Sequence, residues 1–170
     1  MTHLKTLLLV LIFTFSATNI SNAQSKVAHI NTLELISQMP EAKTADEELK
    51  RLLSTYEAQM KSSLTDLQAK IKQYNAEAPS KTDEENAKRK VEVENIKKSI
   101  GEYDAQQQKD LEQKRANLFK PIREKIQNAI NKVAKAQGIE YVLDSQLGGG
   151  VLVADGKNLL DDVKKELGIQ

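Results

Sequence analysis

The chain of 170 residues has no cysteine, no tryptophan, two histidines and three prolines. Without cysteine it can form no disulfide framework, no thiolate-ligated zinc site and no thiol nucleophile. His3 and His29 alone cannot furnish a multi-histidine metal centre. Aromatic residues make up only 4%, and with charges in balance this argues against a helix that lies on a lipid surface. Helix breakers are scarcest in the middle: between residues 41 and 137 there is one glycine, Gly101, and two prolines, Pro79 and Pro121. The rest of that span is rich in Ala, Glu, Lys, Gln and Leu, the composition of a long helix or coiled coil. The length suits one domain.

The N-terminus has a different character. Lys5 precedes an apolar run that ends at Ala17 and is interrupted only by Thr14 and Ser16, and Ser21 and Ala23 then place small residues at the −3 and −1 positions of a cleavage site. This predicts a secretory signal peptide over residues 1–23, cut after Ala23, that exports the chain. Its apolar core is too short to span a bilayer as a helix, so no stable membrane insertion is expected after cleavage. No cysteine follows, so no lipid anchor is expected either. Lys5 is the only charged side chain lost with the peptide, which turns 25 Lys and Arg against 24 Asp and Glu into an even balance. A neutral chain has no overall pull toward nucleic acid.

The breaker-poor span carries a regular apolar pattern. Leu49, Leu53, Tyr56, Met60, Leu64, Leu67, Ile71 and Tyr74 recur at steps of three or four, a heptad seam with one stutter. Pro79 and Ser80 follow, and Thr82 with Glu85 forms a capping box for a second helix. That helix carries Val93, Ile96, Ile100, Tyr103 and Leu111. Folding the chain back at residue 80 sets Leu67 opposite Val93, Leu64 opposite Ile96, Met60 opposite Ile100 and Leu49 opposite Leu111, with Tyr56 beside Tyr103. The mirrored spacing predicts an antiparallel helical hairpin over residues 42–118 with its tip near 80, each limb about 55 Å long at 1.5 Å per residue. Residues 104–117 are mostly polar, so packing there should be thin and the segment mobile. A kink is expected at Pro121, where a proline costs roughly 3 kcal/mol inside a helix. Gly101 has no evident role beyond local softening.

The two ends read as a small body, residues 24–41 and 119–170. Residues 26–31 alternate as a short strand, and residues 32–38 form a helical turn capped by Asn31 or Thr32 before Pro40. Residues 140–144 and 151–154 read as strands separated by a loop containing Gly148, Gly149 and Gly150. Asp155-Gly156 is a turn, Asn158 a helix cap, and residues 159–167 a short amphipathic helix ended by Gly168. Ile122, Ile126, Ala129, Ile130 and Val133 form a stripe that should face the strands, in a helix ended by Gly138. The fold class is therefore mainly α with a small β body from which a helical hairpin projects.

Chemistry-bearing constellations are weak. The three glycines lack a following Lys-Ser/Thr and precede a strand, unlike a phosphate cradle. Asp144, Ser145 and His29 show no triad spacing, and Asp161 and Asp162 sit in a helix first turn, where acids are favoured anyway. No catalytic residue, metal ligand or cofactor is expected. Residues 104–137 set Lys109, Lys114, Arg115, Lys120, Arg123, Lys125, Lys132 and Lys135 against only Asp104, Asp110, Glu112 and Glu124. Lys109, Lys114, Arg115, Lys120 and Arg123 are candidates for a basic wall against bound partners; a solvated helix face is the plainer reading. The seam residues Tyr56, Met60, Leu64, Leu67, Ile71, Tyr74, Val93, Ile96, Ile100 and Tyr103 are the candidate apolar contact surface.

The chain resembles the Skp/OmpH family of periplasmic chaperones in three stretches: Lys26-Val-Ala-His-Ile-Asn-Thr; Pro121-Ile-Arg-Glu-Lys-Ile-Gln-Asn-Ala-Ile; and Gly138-Ile-Glu-Tyr-Val-Leu-Asp144 followed by Val151-Leu-Val-Ala-Asp. With the hairpin between them, the resemblance covers essentially all of residues 24–170. It implies a homotrimer in which short strands from three subunits build one β body. Three arms would then enclose a cavity that holds unfolded outer-membrane proteins without ATP. Well-known members are strongly basic, whereas residues 24–170 here are neutral, so no lipopolysaccharide site is carried over. A structural coiled-coil spacer or adaptor of the envelope is the alternative, and it predicts a continuous, well-packed seam.

Overall fold

The computed structural model describes residues 26–169, so the expected signal peptide and its cleavage site lie outside the described residues. Strand β1 (Val27–Ile30) is followed at once by helix α1 (Thr32–Gln38), whose N-cap Asn31 accepts a 3.1 Å hydrogen bond from the Glu34 amide. Met39 ends α1 in an extended conformation, ψ 128°, because the ring of Pro40 disfavours a helical residue before it. Pro40 then opens α2 (Pro40–Glu77) at a position where the missing N–H costs nothing. A 3₁₀ turn, Ala78–Ser80, forms the tip. There Asn86 donates to the Ala78 carbonyl, and the Thr82–Glu85 capping box forms in both directions.

Helix α3 (Asp83–Ala136) returns for 54 residues and continues through Pro121, the position of the expected kink, without ending there. Leu118 and Ile122 on either side pack against the core and hold the helix straddling the proline. Asn117, whose carbonyl loses its partner to the pyrrolidine, is open to water. The helix ends where Gly138 takes φ +66°, with Ile139 N–H donating to the Ala134 carbonyl and Gly138 N–H to that of Lys135. The last helix, α4 (Leu160–Leu167), closes identically through Gly168 (φ +70°) and Ile169. Only glycine enters this left-handed region without strain, and the following isoleucine packs back on the core in each case.

The sheet is parallel throughout, ordered β2-β1-β3. Strand β2 (Tyr141–Asp144) matches the sequence expectation, in register with β1 from Val27–Tyr141 to Ile30–Asp144. The third strand does not: residues 151–154 are irregular, and the strand is β3 (Lys157–Asn158), paired with Ala28 and His29. Fully buried Leu159 and Val163 explain the shift. Seating them under the sheet draws residues 157–158 alongside β1, fixed by the Leu159 N–H bond to the His29 carbonyl. This leaves Leu152 and Val153 in water, 98% and 74% exposed. Asn158 is not the cap of α4 as expected: the cap position falls on Leu159, and the Asn158 side chain accepts from Leu160 N–H one residue before it, in a local turn.

Ala28 and Ile30 from β1, Leu35, Met39, Ala42 and Ala45 from the first two helices, the α3 stripe Ile122, Ile126, Ala129, Ile130 and Val133, and Leu159 and Val163 make one core. All of it lies in the body and the base of the arm. Leu35→Ala should therefore cost about 2–5 kcal/mol in chemical denaturation, and Leu64→Ala, 44% exposed on the arm, less than about 1 kcal/mol. Nothing lies within 4 Å of a Cβ added at Gly101, and its φ is helical. Gly101→Ala should stabilise the chain by about 0.5–1 kcal/mol in the same measurement.

Candidate functional site

The two long helices meet along a thin seam. Leu49 and Leu67 are buried in it, while Tyr56, Met60, Ile71, Tyr74, Val93, Ile96 and Ile100 are half-buried and Leu64 and Tyr103 exposed. Between Leu49 and Leu67 no apolar side chain is fully covered, and the buried residue facing this stretch from α3 is polar Gln107. Its amide reaches Gln59 only at 3.5 Å. Grooves open on both flanks. One, of about 500 Å³, is lined by Leu53, Tyr56, Met60, Leu64 and Leu111 with Gln107. The other, of about 920 Å³, is lined by Leu67, Val91, Ile96, Ile100 and Tyr103. Residues expected to face each other thus divide, with Met60 and Leu64 opening to one side and Ile96 and Ile100 to the other. Exposed Val91 belongs to the second groove although it lies off the heptad pattern.

Polar contacts also run between the limbs along the arm. Lys70 and Tyr74 both bond Glu92, Arg89 bonds Glu77 at 2.6 Å, Lys114 bonds Glu48 at 2.6 Å, and Lys125 bonds Glu41. Tyr103 bonds Gln59. These pairs are symmetric about residues 81–83, slightly beyond the expected fold at 80, because the 3₁₀ turn and cap occupy the positions just after the tip proline. Near the tip the Arg89 guanidinium also stacks over the Tyr74 ring, 4.5 Å from its centre. Hydrogen bonds from Lys70 and Tyr74 hold the Glu92 carboxyl below its ordinary range, and those from Gln73 and Arg89 do the same for Glu77. The Glu92 hydrogen bond conversely raises Tyr74. None of this cluster was legible in the sequence, since no local pattern marks which charged residue faces which across the arm.

Of the candidate basic wall, Lys114 is engaged with Glu48 at the seam. Helical spacing sets Lys109, Lys120 and Arg123 together on the side of α3 away from α2, and Arg115 apart from them. In the body, alternation along the strands sends Ala28, Ile30 and Val142 inward and leaves Val27, His29, Tyr141 and Leu143 on the outward face, where Tyr141 is 64% exposed. His29 Nδ1 lies 3.2 Å from the Ser145 hydroxyl and Nε2 3.2 Å from the Gly156 carbonyl. Asp144 does not complete a triad: its carboxylate accepts from Thr32 N–H and Oγ–H and from Gln146 N–H. Asp161 and Asp162 lie in the first turn of α4, as expected.

Because Glu92 and Glu77 titrate below the ordinary carboxylate value of 4.5 when folded, their contribution is complete above that value and is lost as pH falls below it and through their lower folded range. The melting temperature followed by circular dichroism should drop between pH 5 and 3, and Glu92→Gln, which already lacks the carboxylate, should drop less across that interval.

No helix among the described residues is long and apolar enough to cross a membrane. No curated protein sequence matches the chain. Among solved structures, a crystal structure from Caulobacter crescentus, provisionally assigned as an OmpH-like outer membrane chaperone, superposes with a TM-score of 0.71 at 17% identity, covering 84% of this chain and 83% of that one. At that identity the likeness shows a shared fold. The family described as "Outer membrane protein (OmpH-like)" matches residues 26–167, from the first residue of the described structure to the end of α4. The chain therefore belongs to the OmpH-like family.

Proposed function

We propose that this protein is an ATP-independent periplasmic holdase that keeps unfolded outer-membrane β-barrel proteins from aggregating. Family membership supports a chaperone role in general terms. The observation that carries the finer reading is the arm itself, a long hairpin whose seam residues Tyr56, Met60, Leu64, Ile96 and Ile100 are left half-covered beside two open grooves. An unfolded chain offers scattered apolar side chains, and shallow grooves bordered by lysine and glutamate accept these without requiring one sequence. Lys109, Lys120 and Arg123 add charge on the back of α3, outside the grooves. A spacer built for one folded partner would want a continuous dry seam, and the buried Gln107 and thin packing around it favour the holdase.

In this reading the chain acts as a homotrimer. Parallel sheets are ordinarily covered on both faces, and here helices cover only one. Three copies joined through the outward face of Val27, Tyr141 and Leu143 would bury it and set three arms around a shared cavity.

Residues 24–170, mixed at equimolar trimer with a urea-denatured β-barrel protein, should suppress light scattering on dilution, and light scattering should give a trimer that takes up one client. Met60→Asp with Leu64→Asp should weaken suppression about tenfold while leaving helicity by circular dichroism intact. Undiminished aggregation with the native chain refutes the holdase. Rigid arms by small-angle scattering with no suppression would support the spacer instead.

A further inference from the structure

His29 is the one histidine of residues 24–170, and it stands in the middle of the bare face of the sheet. Its register partners are Leu143 on β2 and Asn158 on β3, and Val27 and Tyr141 complete the same face one pleat away. The ring is half-buried, because the loop joining β2 to β3 fastens onto it at both ends, at Ser145 and at Gly156. A carbonyl can only accept, so Nε2 must carry the hydrogen toward Gly156, and the neutral ring then accepts from the Ser145 hydroxyl at Nδ1. Protonation leaves both contacts possible, with Nδ1 turning donor and the hydroxyl turning acceptor. The loop therefore stays fastened in either state. What changes is that the face around Val27, Tyr141 and Leu143 gains a positive charge.

The neighbouring charges do little to offset it. On β2 the Asp144 carboxylate is turned inward to Thr32. At the strand starts Lys26 and Glu140 pair weakly with each other at 3.9 Å. In the loop, exposed Asp155 and Lys157 bracket Gly156 with opposite signs. Tyr141 is the other titratable group on the face. Helices α3 and α4 pack on the inward side of the sheet, opposite the ring.

We propose that His29 makes self-association of this chain pH-sensitive: the outward sheet face joins copies when the imidazole is neutral, and its protonation opposes the joining by placing an unpaired cation under the partner. The inference rests on the self-association reading above. Histidine is the side chain whose charge changes most readily near neutral pH, so an assembly that admits only the neutral ring loses about tenfold in association per subunit between pH 7.5 and 5.5. The sign follows from that exclusion, with assembly strongest where the ring is neutral and weakening as pH falls and the ring gains its charge.

The test is analytical ultracentrifugation of residues 24–170 at pH 7.5 and 5.5, for the native chain and for His29→Gln, which keeps a side-chain hydrogen-bonding group and cannot become charged there. The expected result is a native trimer at pH 7.5 whose dissociation constant rises about a thousandfold at pH 5.5, and a variant whose dissociation constant does not move. Imidazole NMR signals, from a single histidine, should change in step with dissociation; this readout decides the matter even where the variant fails to fold. A native trimer indifferent to pH, or a variant as pH-dependent as the native chain, overturns the role of His29 and leaves the trimer standing. A native monomer at pH 7.5 removes the self-association reading and this inference with it.

Discussion

Two helices meet along a single line, and a single line can cover only one stripe of side chains from each. A third helix or a sheet would supply a second covering surface; the arm has neither. Most of its stability must therefore come from elsewhere, and the distribution of buried residues shows where. Apolar burial is concentrated at the base, from Met39 to Ala45 on one limb and from Ile122 to Val133 on the other. Farther out, Leu49 and Leu67 are the only buried apolar side chains among the described residues, and cross-limb hydrogen bonds and ion pairs take over. Such partly exposed pairs contribute little each, but they set the register of the limbs without closing the grooves beside them.

The body answers the same shortage in another way. Its sheet has three short strands, one of them two residues long, too little to be stable as a free unit. Helices cover the inward face, and the loops that cross the rim are tied down by specific side chains: Asp144 on the first turn of α1, His29 across the β2–β3 loop, and two Gly-Ile helix ends that send an isoleucine back to the core. The outward face is left apolar. In a chain without disulfides to compensate for a small core, the proposed trimer would supply the missing layer.

Features that repeat locally were legible in the sequence. The heptad steps gave both limbs, Thr82 and Glu85 gave the restart after the tip, and Gly138 and Gly168 gave two helix ends, because each depends on residues within a turn or two. Pro121 does not end its helix, since a lone proline is tolerated where its neighbours are anchored, and Leu118 and Ile122 are. The third strand shows a stronger effect of packing, and it was misplaced for that reason. Residues 151–154 have the stronger strand propensity, but burial of Leu159 and Val163 dictates which residues lie beside β1, and tertiary packing overrides preference. The candidate surface was legible as a seam and not as two grooves. Which flank a residue opens to depends on how the limbs roll against each other, and Glu92, Arg89 and Gln107 settle that only once the limbs are paired.

The central strand of the sheet has a consequence for the order of events in folding. His29 and Ser145, bonded ring to hydroxyl, stand 116 residues apart in sequence. Joining such distant ends through a flexible loop is slow and entropically costly. The hairpin removes most of that distance, for it can zip from its capped tip using contacts between near neighbours in sequence, and on reaching its base it delivers the two ends of the chain side by side. The arm is then a folding device before it is anything else: a long, self-assembling tether that converts a remote encounter between strands into a local one.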